Sequence, residues 1–541
     1  MNPWTPAFLR WLFAPSPAAA PGRLLPRWIF LRALGLIYFS AFYPLVFQIR
    51  GLLGPNGLLP VSDYLAQVAA ALGHARFWYA PTLLWFNSSS QALLLLCWIG
   101  MLASVLLVLN IWPRAMLLVC SVSFLSFVSA AQDFSGYQSD GMLLSAGFLS
   151  LFFAPSGLRP RLGESQPPSR ASLYLLQLVW FTIYFESGFA KYFGGDPSWR
   201  NFTATDQYYQ NGPLPTWIGW YIQQLPHSFH ASTAFVTLFC ELLVVWMLFL
   251  PRRFRIVCFF IVTPLQISIA LTANYTFLNY LVLALGILLL DDQFLLKLFP
   301  QRCFSSIRKT SEQSVPMSSL SDSPGFPSLQ ARLLQLASAL RLWSVAFVLL
   351  WIFYAMTVPL VAEVIPTLRL PMKPVTLLEP FRIANQYGLF GRMTWARYEI
   401  EFQGSDDGVN WIAYPFRYKP QDLREPPRIY APYQPRFDWN LWFASLGYWR
   451  ENPFVVQTEK LLLENNSDVL SLFAGNPFPQ SPPRKIRAVL WQYWFTDLAT
   501  KRSTGLWWRR EFRGLYAPAL ERAPDGKIFV TDWPQSLPPP P

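Results

Sequence analysis

The sequence has few charged residues for its length. Of its 541 residues, 13% are Asp, Glu, Lys or Arg, whereas 53% are hydrophobic. A soluble domain usually carries about 25% charged residues, so this composition excludes an ordinary soluble globular protein. Aromatic residues make up 17% of the chain, and many lie where apolar runs meet polar ones, as in membrane-interface belts. The composition therefore indicates a polytopic membrane protein.

Cysteine and histidine are also scarce. Most of the five cysteines lie inside apolar runs: Cys97, Cys120, Cys240, Cys258 and Cys303. None follows Cys303, so the C-terminal part has no disulfide framework. His227 and His230 stand three residues apart without a cysteine or a nearby carboxylate, which is too little for a metal site. We expect neither a metal nor a cofactor.

The sequence motifs of common enzymes are missing. There is no H-E-x-x-H, C-x-x-C, P-loop, G-x-G-x-x-G or G-x-S-x-G pattern, which argues against a hydrolase of the usual kinds. The formal charge of +13 does not indicate a nucleic-acid partner, because the basic residues lie in short connections beside apolar runs. We expect no nucleic-acid binding.

Nine apolar segments are candidates for membrane spans, since a helix needs about 20 residues to cross the hydrocarbon layer. They are residues 28–49, 91–110, 115–131, 141–154, 172–189, 231–250, 254–271, 275–290 and 342–361. Segment 141–154 is short, so it is either extended by its flanks or half buried in the bundle. Residues 1–27 are rich in Pro and Arg and precede a full-length span, so we expect no cleavable signal peptide.

The basic residues are distributed unevenly between alternate connections. One set of connections contains Arg10, Arg23, Arg27, Arg114, Arg159, Arg161, Arg170, Arg252, Arg253, Arg255, Lys297, Arg302, Arg308, Lys309, Arg332 and Arg341, and the other contains Arg50, Arg76, Lys191 and Arg200. Lys and Arg concentrate on the cytoplasmic side of a membrane. The bias therefore predicts a cytoplasmic N-terminus and an extracytoplasmic segment after the ninth span.

The predicted domain organisation follows from these spans. Residues 1–27 form a cytoplasmic tail, 28–300 an eight-span bundle, 301–341 a cytoplasmic Ser/Pro-rich linker, 342–362 the ninth span and 375–541 an extracytoplasmic domain. The predicted fold class is a membrane protein with an α-helical bundle of about nine transmembrane helices and a C-terminal extracytoplasmic β-rich (α+β) domain.

The C-terminal domain shows strand patterns. Residues 397–403 alternate between polar and apolar, and residues 404–408 form a turn cluster. Residues 410–414 are predicted to return as a second strand, and 486–495 to form a third. Residues 438–446 and 455–463 are predicted short helices. The turn residues Asp406, Asp407 and Gly408 are compatible with calcium binding or with a hairpin turn, and the hairpin is favoured because the cluster falls far short of an EF-hand loop.

Ionisable residues near the outer membrane boundary form the candidate site. Glu186 and Lys191 are about 140° apart on a straight helix. They are either a base or polar clamp at the mouth of the bundle, or a hydrogen-bonded acid and a snorkelling lysine. Asp133 and Asp140 either face Lys191 or Arg200, or lie in a solvated turn. The predicted polar vestibule comprises Gln132, Asp133, Gln138, Asp140, Glu186, Lys191, Asp196, Trp199 and Arg200.

A second acidic cluster lies at the opposite membrane boundary. Asp291 and Asp292 end the eighth span, where a basic residue is expected, so we predict a tertiary partner for them, with Arg252 and Arg341 as candidates.

A series of motifs resembles the lipase maturation factor family. In order they are LRALGLIYFSAF (31–42), GLLGPNGLLPVSDYL (51–65), PTLLW (81–85), QSDGMLLSAGFLSLFFAP (138–155), SGFAKYFGGDPSWRN (187–201), QNGPLPTW (210–217), TANYTFLN (272–279), NQYGLFGRMTWARYEIEFQGSDDGVNW (385–411), YAPYQPRFDWNLWFASL (430–446) and PPRKIRA (482–488). Ser139 and Ser145 replace a Trp and a Glu of the family pattern, which leaves the role of a second acid there open.

The resemblance implies a chaperone-like membrane protein without established chemistry. It implies that the extracytoplasmic domain helps a secreted client, such as a lipase, to fold or assemble, with membrane lipid as the other partner. The resemblance assigns client binding to Tyr387, Gly388, Arg392, Asp406, Asp407, Gly408, Trp411, Arg436, Asp438 and Trp439. Compact loops and the absence of a retention tetrapeptide favour a bacterial inner membrane, with the endoplasmic reticulum membrane as the eukaryotic alternative.

A local resemblance supports a second hypothesis. Gly188, Lys191, Asp196 and Trp199 match a pattern in the membrane domain of vitamin K-dependent gamma-carboxylases. That resemblance implies a membrane enzyme in which Lys191 acts as a base on a lipid or quinone. Both hypotheses stay open on the sequence alone.

Overall fold

The computed structural model describes residues 7–13, 22–298 and 329–535. Each of the nine apolar segments corresponds to a helix, and segments 231–250 and 275–290 continue into the 3₁₀ turns Val244–Phe249 and Ile287–Leu289. Numbered in chain order, these are α1 Leu24–Leu53, α2 Ser90–Val108, α3 Pro113–Val128, α4 Gln138–Phe153, α5 Arg170–Phe193, α6 His227–Leu242, α7 Arg252–Thr272, α8 Leu278–Gly286 and α9 Leu329–Val364. The predicted mostly helical fold class is confirmed.

Not all nine helices have the length of a full membrane crossing. Among the described residues, six helices are long and apolar enough: α1, α2, α5, α6 with its 3₁₀ extension to Phe249, α7 and α9. Helix α3 and the segment Leu278–Leu289 are apolar but shorter. Helix α4 has 16 residues and is buried along most of its length, as the shortness of its predicted span suggested. The number of crossings stays a prediction.

Helix α9 is longer than its predicted span. It runs for 36 residues from Leu329 to Val364, so the last part of the predicted linker is helical. Residues 301–328, which contain the rest of that linker and Cys303, lie outside the described residues.

Close packing of α1 against α2 depends on a glycine. A Cβ atom at Gly100 would lie 2.4 Å from the ring of Phe42, so this approach requires glycine. Helix α1 also packs against α4 and α8. At its N-terminus, the Asp292 carboxylate accepts the Leu24 and Leu25 amides at 3.0 and 2.7 Å.

One of the two acidic residues at the end of the eighth predicted span has a predicted basic partner. Asp291 is ion-paired with Arg252, with 2.9 Å between Oδ1 and Nη2. The tertiary partner predicted from the misplaced acidic residues is therefore confirmed for Arg252, while Asp292 instead caps α1.

The domain that follows α9, which we call the outer domain, is built on one antiparallel sheet. Its strands are β1 Arg397–Ser405, β2 Ile412–Ala413, β3 Lys485–Phe495, β4 Trp508–Leu515, β5 Ala519–Arg522 and β6 Ile528–Asp532. The order is β2-β1-β3-β5-β6, and β4 pairs with the part of β3 beyond its pairing with β5. The three strands and the turn predicted from the sequence are confirmed.

One face of the sheet is covered by two helices. Residues Tyr398, Ile400 and Phe402 of β1 alternate onto this apolar face, which packs against α10 Arg436–Ser445 and α11 Pro453–Leu463. Both helices were predicted from the sequence.

Short helices connect these elements. They are Ala7–Phe13, Val61–Leu72, Arg76–Tyr79, Pro197–Arg200, Tyr208–Asn211, Trp217–Gln223, Asp292–Leu298, Lys373–Thr376, Ser467–Leu470 and Leu498–Thr504.

The hydrophobic cores of bundle and outer domain are continuous. One cluster of buried side chains runs from α1 to the sheet, and the rings of Phe134 and Phe454 join its two parts with centroids 5.6 Å apart. The outer domain is therefore docked directly on the bundle.

Candidate functional site

A loop of the outer domain packs against the C-terminal end of α5. We call residues 385–394 the docking segment. The Tyr387 amide donates to Glu186 Oε2 at 2.6 Å, and the Met393 amide donates to Asp196 Oδ2 at 2.7 Å. Trp199 Nε1 donates to the Phe390 carbonyl at 2.9 Å. Gln138 Oε1 accepts the Gly388 amide at 3.2 Å. Four residues of the predicted vestibule therefore bind the backbone of a distant loop.

The charge of Asp196 suits this role. Burial raises the pKa of this carboxyl group, but hydrogen bonds from Ser198 and from the Met393 amide outweigh that effect and lower the pKa. The carboxylate is thus held ionised, as the acceptor of two backbone amides.

Asp140 forms a buried ion pair with Arg436 of the outer domain. Both side chains are fully buried, and the guanidinium contacts both carboxylate oxygens at 2.7 and 2.9 Å. Arg436 also donates to the Phe134 carbonyl and stacks over the Phe127 ring at 4.7 Å. A bidentate pair fixes orientation as well as distance.

Further side chains of the bundle bind outer-domain backbone. Gln48 accepts the Arg436 amide at 2.7 Å and donates to the Gln434 carbonyl at 3.0 Å. Asn274 accepts the Tyr430 amide at 2.6 Å and donates to the Arg428 carbonyl at 2.8 Å. These bonds satisfy polar groups that burial would otherwise leave unpaired.

Lys191 is paired with Glu241, not with Glu186. The ammonium lies 2.9 and 2.8 Å from the two carboxylate oxygens of Glu241, and both residues are buried. The ammonium also lies 5.3 Å from the centre of the Trp199 ring. Sequence reasoning missed Glu241, although a carboxylate inside an apolar run is itself an indication of a buried partner.

A cavity of about 440 Å³ lies beside this ion pair. It is lined by α6, α7 and α8, by the docking segment and by Tyr208 and Tyr209. Its lining is mostly apolar.

The other vestibule residues lie away from this ion pair. Gln132 and Gln138 line a separate cavity of about 550 Å³ together with Arg382 and Asn385. Asp133 offers its carbonyl to Asn440 at 2.8 Å, and burial raises the pKa of its carboxyl group. Arg200 is exposed. The predicted vestibule is therefore divided between the docking segment, the Asp140–Arg436 pair, the Lys191–Glu241 pair and an outer cavity.

The turn predicted at 404–408 is a hairpin turn. Gly408 has φ +77°, which favours glycine, and the Asp407 carboxylate accepts the amides of Asn410 and Val409. Hydrogen bonds from Asn410 and Val409 lower the pKa of Asp407. Asp406 accepts the Arg484 amide at 3.3 Å.

The remaining motif residues mostly build or dock the domain. Tyr387 and Trp439 are buried and Arg392 is exposed. A Cβ atom at Gly388 would lie 3.6 Å from Ala190 Cβ. Asp438 is buried beside the Tyr418 and Lys419 amides. That these residues bind a client stays a prediction.

The other face of the sheet presents stacked arginine and aromatic side chains. We call Trp411, Arg487, Trp491, Arg510 and Phe512 the arginine–tryptophan face. Arg487 lies 4.0 Å from the Trp411 ring centre, and Arg510 lies 4.0 Å from that of Trp491. The Trp491 and Phe512 rings are 5.3 Å apart, and Phe512 is 49% exposed.

No metal centre is visible in the part of the chain that the structure describes. Within residues 7–13, 22–298 and 329–535, no three His, Cys, Asp or Glu side chains are placed to hold a metal ion. His227 is instead paired with Asp206 at 2.9 Å.

Both parts of the chain match family models. The lipase maturation factor transmembrane domain matches residues 25–297, and the lipase maturation factor C-terminal domain matches residues 383–518. Lipase maturation factor 1 of Mus musculus is 31% identical over 97% of this chain and 93% of its own length. Lipase maturation factor 2 of Gallus gallus is 30% identical over 92% of this chain and 81% of its own length.

A human relative gives a similar comparison. Lipase maturation factor 2 of Homo sapiens is 28% identical over 92% of this chain and 83% of its own length. No solved structure matches the chain. Because the matched models cover the bundle and the outer domain that docks on it, the chain belongs to the lipase maturation factor family.

Proposed function

We propose that this integral membrane protein assists the folding or assembly of a secreted client such as a lipase. The observation that carries the proposal is the family match on both halves of the chain. In addition, the match to a relative named lipase maturation factor 1 covers nearly the whole length of both proteins. The sequence lacks the catalytic motifs of common enzymes, and this absence agrees with a chaperone-like role.

We propose that the outer domain faces the extracytoplasmic side. The uneven distribution of Lys and Arg supports a cytoplasmic N-terminus and the predicted domain boundaries. We expect a bacterial inner membrane, or the endoplasmic reticulum membrane in a eukaryotic host. In either compartment this orientation places the outer domain where exported proteins fold.

The arginine–tryptophan face is the proposed client surface. Trp and Arg are enriched among the residues that dominate protein–protein binding energy. Their stacking on this face holds large side chains in fixed positions, which lowers the entropy lost on binding. By contrast, the Asp140–Arg436 pair is fully buried between the two halves and cannot contact a client without their separation.

Point variants on this face test the proposal. Phe512→Ala should lower the yield of active enzyme from a co-expressed secreted lipase of the same host. Phe529→Ala is the matched control, because Phe529 is similarly exposed at 46% but lies on β6. Lipase activity is measured per secreted lipase antigen, with the membrane content of each variant checked by immunoblot.

The outcomes separate the hypotheses. Selective loss with Phe512→Ala supports the client surface. Equal lipase activity with Phe512→Ala and with an Arg487→Ala, Phe512→Ala double variant would show that the client binds elsewhere. If cells lacking the protein secrete fully active lipase, the proposed function itself is wrong.

The gamma-carboxylase alternative stays a prediction. The ion pair with Glu241 holds Lys191 in a defined position and engages its ammonium group. No observation in the structure favours this alternative over the maturation role.

A further inference from the structure

The cavity beside Lys191 opens toward the bilayer. Helices α6 and α7 form its two side walls. Residues on both walls are exposed at the surface of the bundle, with Val236 46% and Ile261 40% exposed. Of the six long apolar helices in the described chain, α7 is the least buried, with 17% of its most apolar stretch covered by protein. The mouth between α6 and α7 therefore lies on a surface that faces lipid.

The opposite side of the cavity is lined by the docking segment and by aromatic side chains. Leu389 and Phe390 of the docking segment and Trp199 form its outer wall, and Tyr208 and Tyr209 lie beside them. Phe390 is fixed there by the hydrogen bond between Trp199 and its carbonyl. A ligand arriving from the bilayer thus meets an open mouth, whereas a soluble peptide meets packed aromatic side chains.

The floor of the cavity is polar but electrically balanced. Lys191 and Glu241 are the charged side chains among its described lining residues, and they neutralise one another. Beside them, Asn279 donates to Gln266 at 2.8 Å, and both amides are buried. An ammonium has three donor protons, so the contact with Glu241 leaves Lys191 a donor for a ligand oxygen.

This balance selects the charge of the ligand. A phosphate or carboxylate would have to compete with Glu241 for Lys191 and leave one buried charge unpaired, which is costly. A hydroxyl group or an ester carbonyl accepts a hydrogen bond without adding charge. The volume of about 440 Å³ also lies within the range of about 300–1,000 Å³ typical of small-molecule sites.

We propose that this cavity binds a neutral glycerolipid of the diacylglycerol type. Its hydroxyl or ester oxygens bind at the Lys191–Glu241 floor, and its acyl chain leaves between α6 and α7. The proposal is independent of the client surface, which lies on the sheet.

Photo-crosslinking tests this site. The full-length protein in phosphatidylcholine nanodiscs is irradiated with a diacylglycerol probe that carries a diazirine on its acyl chain and an alkyne for detection. We expect labelled peptides from α6, α7 and α8. Labelling spread evenly over all lipid-facing helices would overturn the proposal.

Two valines provide a matched pair of variants. Val236→Trp places an indole in the mouth of the cavity. Val257→Trp places one on the exposed side of α7, away from the cavity, at a site with 47% exposure. Val236→Trp should reduce labelling about tenfold, equivalent to about 1.4 kcal/mol of lost binding, while Val257→Trp labels like the wild type. Equal labelling of both variants would refute the site.

Competition on the wild-type protein tests the charge argument. Excess diacylglycerol should displace the probe, whereas excess phosphatidate should not. Glu241→Gln removes the negative charge and frees Lys191, so phosphatidate should become the better competitor. Displacement of the wild-type label by phosphatidate and diacylglycerol alike would contradict the neutral-ligand assignment.

Discussion

At the scale of single residues, the ionisable groups near the membrane boundary serve mainly to join distant parts of the chain. Asp140 binds Arg436, Glu186 accepts the Tyr387 amide, and Lys191 binds Glu241. Each partner satisfies a group whose isolated burial would be unfavourable. These side chains therefore specify how the elements assemble, beyond any role in ligand binding.

Removing one member of the Asp140–Arg436 pair should destabilise the protein strongly. Arg436→Ala leaves the Asp140 carboxylate buried without a partner, for which we expect a loss of about 3–5 kcal/mol in the free energy of unfolding. SDS titration of the purified protein in mixed micelles measures this loss.

A surface pair and a double variant serve as controls. Arg428→Ala breaks the exposed Arg428–Glu425 pair and should cost about 0–1 kcal/mol. Replacing both Asp140 and Arg436 by leucine should cost less than Arg436→Ala alone. If the single and double variants are equally destabilised, the unpaired charge is not the cause.

Asp438 should make the stability of the outer domain depend on pH. Burial raises the pKa of this carboxyl group to about 7, although the Lys419 charge and backbone amides oppose the shift. The unfolded chain releases this proton near its ordinary pKa of about 3.9, so the contribution of Asp438 to stability falls as pH rises from about 4 to about 7. Asp438→Asn should gain thermal stability relative to wild type across that window, measured by melting in detergent.

Asp407 supplies a control of opposite sign. Its pKa is lowered by hydrogen bonds from Asn410 and Val409, so its contribution is present above its ordinary pKa and is lost as pH falls below that value. Asp407→Asn should therefore lose stability at neutral pH and differ less from wild type in acid. The same pH dependence in Asp438→Asn and wild type would show that another group is responsible.

Some residue partners were predictable and others were not. The acidic pair at the end of the eighth span indicated a basic partner, and Arg252 takes that role because the two segments are consecutive helices of the bundle. The partners of Asp140 and Glu186 lie 296 and 201 positions away in the chain. A single sequence contains no information about such pairings, since hydrophobic periodicity fixes faces within an element and not contacts between distant ones.

At the scale of elements, local patterns predicted the long helices and three of the six described strands. The alternation in β1 and β3 and the nine apolar segments correspond to strands and helices because each pattern has a physical period of its own. The order of β4, β5 and β6 along β3 was not predictable, because these strands are short and their pairing depends on long-range register.

The contact between α1 and the outer domain depends on a missing side chain. At Gly51, a Cβ atom would lie 2.5 Å from the Asp468 carbonyl oxygen and 2.8 Å from Leu472. The first obstacle is backbone, so Gly51→Ala should push the helix Ser467–Leu470 away from α1. We expect a lower melting temperature and faster proteolysis of the outer domain.

Gly136→Ala is the matched glycine control. A Cβ atom there meets nothing within 4 Å, and φ is −70°, so alanine fits without strain. Wild-type protease resistance in Gly51→Ala would show that the two elements are not packed this closely.

At the scale of the whole molecule, bundle and outer domain form one unit. Their cores are continuous, and the family motifs of the two halves meet at the docking segment and at the Asp140–Arg436 pair. Many of the motifs that identify the family thus maintain this junction.

The proposed orientation can be measured by cysteine labelling. The four described cysteines are buried, so with Cys303→Ser as background, a single introduced cysteine reports its own side. Ser503→Cys lies in the outer domain and should react with a membrane-impermeant maleimide in intact cells or sealed vesicles of outward orientation. Ser156→Cys, in the connection after α4, should react only after permeabilisation, and the reverse pattern would invert the topology.

The docking of α5 under residues 385–394 also has a consequence for biogenesis. Glu186 is synthesised about 200 positions before the Tyr387 amide that it binds. A nascent chain therefore carries an uncapped acid at this position until its last third has been synthesised. An interrupted or truncated product retains that exposed acid, which gives membrane quality control a chemical feature by which to distinguish unfinished chains from completed ones.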